Sequence, residues 1–162
     1  MGSFLDQIYF GFSVSLTPMN LFYCFVGVLL GTLIGVLPGI GPVATVSILI
    51  PSTFNLNPVS GIIMLAGIYY GAQYGGSTTS ILLNIPGEAS SVVTCLDGYK
   101  MALQGRAGPA LGIAAFGSFI AGTFGTVMIM VLAPPLASFA LKFGPPEFVG
   151  LIFMGLTMVT YL

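Results

Sequence analysis

Residues 21–42 read LFYCFVGVLLGTLIGVLPGIGP. The part from 21 to 37 holds no charged side chain, and it is just long enough to cross a hydrocarbon layer, which takes about 17–25 apolar residues as a helix. Gly27, Gly31 and Gly35 recur every fourth position, leaving one face of that helix flat enough for another helix backbone to come close. Pro38-Gly39-Ile40-Gly41-Pro42 then interrupts the pattern, because proline lacks the backbone donor and glycine holds no preferred conformation. Apolar sequence resumes at once, over 43–50, before Pro51 and the polar Asn55-Leu56-Asn57-Pro58. An interruption between two apolar stretches exposes backbone polar groups inside apolar surroundings, and this is tolerated only where the backbone is buried in protein or lines a cavity. The stretch therefore points to an all-α integral membrane fold, and to a place where a site could be built.

The rest of the chain repeats this grammar. Residues 59–74 form a second span candidate, with Gly67, Gly71 and Gly75 again four apart, ending in Gly75-Gly76-Ser77-Thr78-Thr79-Ser80. A short apolar piece, 81–83, leads into Asn84-Ile85-Pro86-Gly87-Glu88. Residues 89–108 are read as a polar connection and solvated loop holding Asp97, Lys100 and Arg106. The longest span, 109–133, carries Gly117, Ala121 and Gly125 on one face, is interrupted by Pro134-Pro135, and continues over 136–143. After Gly144-Pro145-Pro146 a final apolar stretch runs from 148 to 162 without a polar flank, the pattern of a larger membrane protein's fragment. At the other end, residues 1–19 place Phe4, Leu5, Ile8, Tyr9, Phe12 and Leu16 at helical spacing with Asp6, Gln7 and Ser13 between them, which suits a helix lying in the membrane interface. The organisation is thus 1–19 interfacial and 20–162 transmembrane.

Composition agrees. Of 162 residues 56% are hydrophobic and 4% charged, with a mean hydropathy of +1.07, whereas soluble domains carry about 25% charged residues. Three Lys/Arg against four Asp/Glu give no basic footprint for nucleic acid. No histidine is present, so the commonest metal ligand and general base is missing. Lys100 and Lys142 both fall in polar connections, which leaves an intramembrane peptidase without a base beside a nucleophile, and no catalytic residue is assigned. Cys24 and Cys95 stand alone, outside any metal-binding or disulfide pattern. Lys100 and Arg106 place their connection on the cytoplasmic side.

Two segments carry the chemistry: Gly35 through Pro42, and Tyr74 through Ser80 continuing to Asn84-Ile85-Pro86-Gly87-Glu88. Each contains an apolar-Pro-Gly step, and paired interrupted segments are a sequence pointer to a transporter binding site. A broken helix presents free N–H groups and a dipole that favours an anion at the start of its second half, while carbonyls across the break can hold Na⁺. Gly39, Gly41, Gly75 and Gly76 allow a ligand to approach backbone; Ser77, Thr78, Thr79 and Asn84 add donors and acceptors. Glu88 reads first as a solvated headgroup-level charge and second as a coupling-ion or proton group.

GVLPGIGP, followed by YYGAQYGGSTTSILLNIPGEASSVVTCLDGYKMALQGRAGPALGIAAFGSFIAG, resembles the large membrane subunit of the tripartite tricarboxylate transporters, from about Leu21 to the end. The resemblance implies one half of an inverted-repeat transporter with Pro-Gly-broken helices, in a bacterial inner membrane, crossing it several times. It implies symport of citrate-like or other carboxylates with Na⁺ as coupling ion and no other cofactor, alongside a small membrane subunit and a periplasmic solute-binding protein. Substrate contact carries over to Pro38, Gly39, Gly41, Ser77, Thr78, Thr79, Asn84, Pro86 and Gly87; the cation site is left open. The alternative is a non-catalytic structural or channel-forming subunit, which requires the Ser/Thr/Asn cluster to serve helix contacts with no cavity beside it.

Overall fold

A computed structural model describes residues 4–160. Among these the chain is all helical: α1 (Phe4–Ser15), α2 (Pro18–Gly35), α3 (Gly41–Leu49), α4 (Pro58–Leu83), α5 (Val92–Leu103), α6 (Ala107–Ala140) and α7 (Pro145–Thr160), with 3₁₀ turns at Ile50–Thr53 and Ala89–Ser91. Of the described residues, those up to 115 form one compact unit and those from 116 onward a second. Among the described residues two helices, α2 and α6, are long and apolar enough to cross a membrane.

The first unit is organised around α4, which packs along α2 and also against α3 and α5. The α2–α4 seam is built from glycine on both sides. A Cβ on Gly31 would fall on the Ile68 backbone, one on Gly35 on Ala72, one on Gly71 on the Val28 carbonyl and one on Gly75 on the Gly35 backbone. Each helix thus sets its bare ridge into the other's backbone. Without a hydrophobic drive between helices in lipid, this close packing is what holds them together. Asn57 caps α4 by accepting from Val59 N–H at 3.0 Å. At the same end buried Asn20 accepts from the Ser60 hydroxyl at 2.6 Å and donates to the Val14 carbonyl at 2.8 Å, tying the end of α1 to α2 and α4.

Three sequence expectations change. The second span does not stop at Gly75: α4 runs unbroken through Ser80 to Leu83. The hydroxyls make this possible by bonding back to carbonyls one turn earlier, Ser77 to Gln73 at 3.2 Å, Thr78 to Tyr74 at 2.9 Å and Ser80 to Gly76 at 2.9 Å, so polar residues sit in a helix without breaking it. The connection at 89–108 is not a loop throughout but contains helix α5, which carries Asp97 and Lys100; these and Arg106 are exposed, as expected of solvated charges. Pro134 and Pro135 lie inside α6; proline's fixed φ is itself helical, and neighbouring groups in membrane helices re-satisfy the carbonyls it leaves.

In the second unit the described residues of α6 and α7 are largely exposed and apolar, Phe119 at 73% and Phe153 at 65% for example. Phe143 meets Phe139 edge-to-face and Phe148 at a tilt there, with ring centroids 5.3 and 6.4 Å apart. Among the described residues, nothing beyond the helix's own backbone lies within 4 Å of the Cβ position of Gly117 or Gly125.

Candidate functional site

The interruption at 38–42 is a compact turn. It begins where Val36 N–H donates to the Thr32 carbonyl at 3.1 Å and Leu37 N–H to Ile34 at 2.9 Å. Gly39 and Gly41 both adopt left-handed backbone, φ +83° and +64°, a region that only glycine enters without strain. The chain then starts α3 at Gly41, with Pro42 in the first turn, where its missing N–H costs nothing. The first N–H groups of such a helix have no partner within it.

The second interruption follows α4. Asn84 closes that helix at φ 59°, ψ 29°, one of the few non-glycine residues that accept this conformation. Pro86 and Gly87 then return the chain against its own helix. A Cβ on Gly87 would strike Gly76 Cα, and one on Gly76 would strike the Glu88 carboxylate, so helix and returning chain touch through bare backbone.

The two interruptions meet. The Cβ position of Gly41 lies 3.4 Å from the Gly87 carbonyl oxygen and 3.8 Å from Glu88 Cβ. From the other side Thr79, buried in α4, shares its hydroxyl between the Gly75 carbonyl at 3.0 Å and the Val36 carbonyl at 3.2 Å, binding the start of the first turn to α4. Gly41, Thr79, Pro86 and Gly87 therefore belong to one neighbourhood. Pro38, Gly39 and Asn84 are exposed on the turns themselves, and Gly39 has no atom within 4 Å of its Cβ position. Ser77 and Thr78 are half-buried, with their hydroxyls directed into α4's own backbone.

Sequence reasoning missed the disposition of Glu88. It is not a solvated headgroup-level charge: its carboxylate turns inward onto Gly76. Oε1 accepts from the Ser90 hydroxyl at 3.3 Å, whereas Oε2 is buried without a hydrogen-bond partner. Ser91 completes the local cap, accepting from Glu88 N–H at 3.3 Å and donating to the Glu88 carbonyl at 2.9 Å. Glu88 lies in the connection outside the spanning helices, and burial raises its carboxyl above the ordinary value of 4.5 against the lowering effect of Ser90 and Ser91. Gln73 was also passed over; its amide donates to Ser90 at 2.9 Å and braces the loop that holds Glu88.

A separate shallow cavity lies between α4, α5 and the start of α6, lined by Ile81, Thr94, Gly98, Met101, Ala110 and their neighbours. It is apolar and touches neither interruption. Among the described residues no three His, Cys, Asp or Glu side chains gather as a metal site.

A family model for the tripartite tricarboxylate transporter TctA family matches residues 21–162. An uncharacterized 52.8 kDa protein from the TAR-I ttuC' 3'region of Agrobacterium vitis is 61% identical over 156 residues, covering 96% of this chain and 31% of that protein. An uncharacterized protein of Methanocaldococcus jannaschii is 29% identical over 116 residues, covering 70% of this chain and 28% of that protein. The chain thus spans under a third of the length of these relatives. No solved structure matches.

Proposed function

Because the chain belongs to the tripartite tricarboxylate transporter TctA family, a family of membrane transporters and not of enzymes, we propose that it forms the substrate-handling part of a secondary transporter for small carboxylates. In this reading the full protein carries tricarboxylates or dicarboxylates across the bacterial inner membrane in symport with a cation. It works with a small membrane subunit and with a periplasmic binding protein that delivers the substrate.

The single observation that supports this most is the approach of Gly41 to Gly87, which brings two Pro-Gly interruptions into one neighbourhood. We read α2, the turn and α3 as one broken membrane helix, and the chain as one half of an inverted repeat. Substrate carboxylate is held chiefly by backbone N–H groups at the start of α3, where the helix dipole favours an anion. Cationic side chains are not at hand: Lys100 and Arg106 are exposed on or beyond α5, on the side we assign to the cytoplasm. Pro38, Gly39, Gly41, Pro86 and Gly87 shape the two turns around the ligand. Thr79 fixes their spacing, while Ser77, Thr78 and Asn84 border them.

The reading is tested by uptake of a radiolabelled carboxylate panel into vesicles carrying the complete protein and its binding protein, with and without a Na⁺ gradient, beside Gly39→Val. A valine at φ +83° is strained, and the expected outcome is Na⁺-dependent uptake abolished by that variant. Uptake unaffected by Gly39→Val would leave the transporter and remove the site.

A structural or channel-forming role is the second reading. It is favoured by the hydroxyls of Ser77, Thr78 and Ser80, which bond into α4 itself, and by an apolar cavity that lies away from both turns. It requires that an intact complex accumulate no carboxylate under any gradient.

A further inference from the structure

We propose that Glu88 is the residue at which a monovalent cation, Na⁺ or a proton, neutralises the site so that a substrate carboxylate can bind beside it. The inference rests on the transport reading above and names the group that links cation to anion within it.

The placement carries the argument. Glu88 Cβ is 3.8 Å from the Gly41 Cβ position, so the side chain stands at the start of α3, where the anion is to be held. Its carboxylate lies on Gly76, and the missing side chain there is what makes room for it. Oε1 has only neutral donors, the Ser90 hydroxyl and the Ser91 N–H of the capping box; Oε2 is buried and has none. The helices packed around it offer no positive charge: α2, α3 and α4 contain no Lys, Arg, Asp or Glu. Their titratable groups are Tyr23 and Cys24 on α2 and Tyr69, Tyr70 and Tyr74 on α4, with none on α3; α5 adds Cys95, Asp97, Tyr99 and Lys100. The sole cation in that set, Lys100, is exposed, and among the described residues Glu88 has no ion pair.

An ionised carboxylate in this position is itself an unpaired anion in partly desolvated surroundings, and a second carboxylate brought next to it is repelled. Both cannot be held at one helix start unless one is neutralised. A proton on the carboxyl does this. So does Na⁺ at Oε2, with carbonyl oxygens of the returning chain such as that of Gly87 completing a hard-oxygen shell. Uptake of one cation then precedes or accompanies uptake of the anion, and the two affinities are reciprocally linked. Gly76 is part of the device, since any side chain there would expel the carboxylate.

The test is binding of citrate, succinate and malate to the purified complete protein by titration calorimetry. Na⁺ is varied against choline at fixed pH in one arm, and pH is varied without Na⁺ in the other, so that the arm with the dependence identifies the cation. Wild-type protein is expected to bind at least one carboxylate about tenfold more tightly at high cation than at low. Glu88→Gln, neutral at all conditions, is expected to bind with a dependence below about twofold, near the wild-type high-cation level. Gly76→Ala, which keeps Glu88 but fills its space, should lose the dependence as well and serves where Glu88→Gln does not stay monodisperse. Persistence of the full cation dependence in a folded variant would overturn the assignment alone, as would wild-type binding that ignores both cations. Wild-type protein that bound no carboxylate at any cation level would remove the transport reading and this assignment together.

Discussion

Asn84 ends α4 in left-handed backbone at φ 59°, and its replacement separates conformation from chemistry. Asn84→Gly keeps that conformation freely, whereas Asn84→Val must hold a β-branched residue there at a cost of roughly 1–2 kcal/mol; unfolding of the purified protein in detergent should show the second loss and not the first. Glu88 makes a prediction of the opposite kind, about charge. Because burial raises its carboxyl above 4.5, the folded state holds the proton more tightly than the unfolded one. Its stabilising contribution is complete below the unfolded value and is lost as pH rises through the raised folded value. Stability measured against pH should therefore fall over that window in the wild type relative to Glu88→Gln; a difference that stayed constant, or ran the other way, would mean the carboxylate is not desolvated. At this scale the punctuation was legible in the sequence: Gly39, Gly41 and Pro86 mark turns because their backbone chemistry is local. The inward turn of Glu88 was not, since nothing in a run of Glu-Ala-Ser-Ser says which way the carboxylate points. That direction is set by the absent side chain of Gly76, one helix away.

Helix α4 shows where local rules mislead. Gly75-Gly76-Ser77-Thr78-Thr79-Ser80 reads as a break because these residues disfavour helix in water, yet in this setting each hydroxyl finds a carbonyl one turn back and the helix continues to Leu83. The hydroxyls are not equivalent, however. Thr78 bonds only to its own helix, while Thr79 also reaches Val36 beyond the end of α2. Thr79→Val should lose about 1 kcal/mol, the net worth of a buried hydrogen bond, and Thr78→Val clearly less. The glycine ladders of α2 and α4, by contrast, were readable as packing faces from their four-residue period, and they pack as such. Gly31→Val and Gly71→Val place a side chain on the Ile68 and Val28 backbones and should each destabilise by about 1–3 kcal/mol, visible as a lower midpoint in thermal or detergent unfolding. Elements whose character depends on the surroundings, such as α5 and the proline-containing α6, were beyond a reading based on polarity and proline alone.

At the scale of the molecule, the sequence carries the class and the family more plainly than the site. The scarcity of charge and the recurring apolar stretches indicate lipid as solvent, and the long Tyr-to-Gly motif running from α4 into α6 brings family membership. What the chain could not reveal was that its two interruptions adjoin, because contact between Gly41 and Gly87 depends on α4 folding past the polar cluster and turning back at Asn84. That contact is the centre of the account. Its most direct test is substrate protection in the complete protein, with Cys24 and Cys95 replaced by alanine and single cysteines introduced at Pro38 and at Asn84, one on each exposed turn. Maleimide labelling is followed with and without a transported carboxylate. The account predicts that the same carboxylate slows labelling at both positions over the same concentration range, since one ligand occupies the junction. Protection at neither position, or at one with no change at the other, would contradict it.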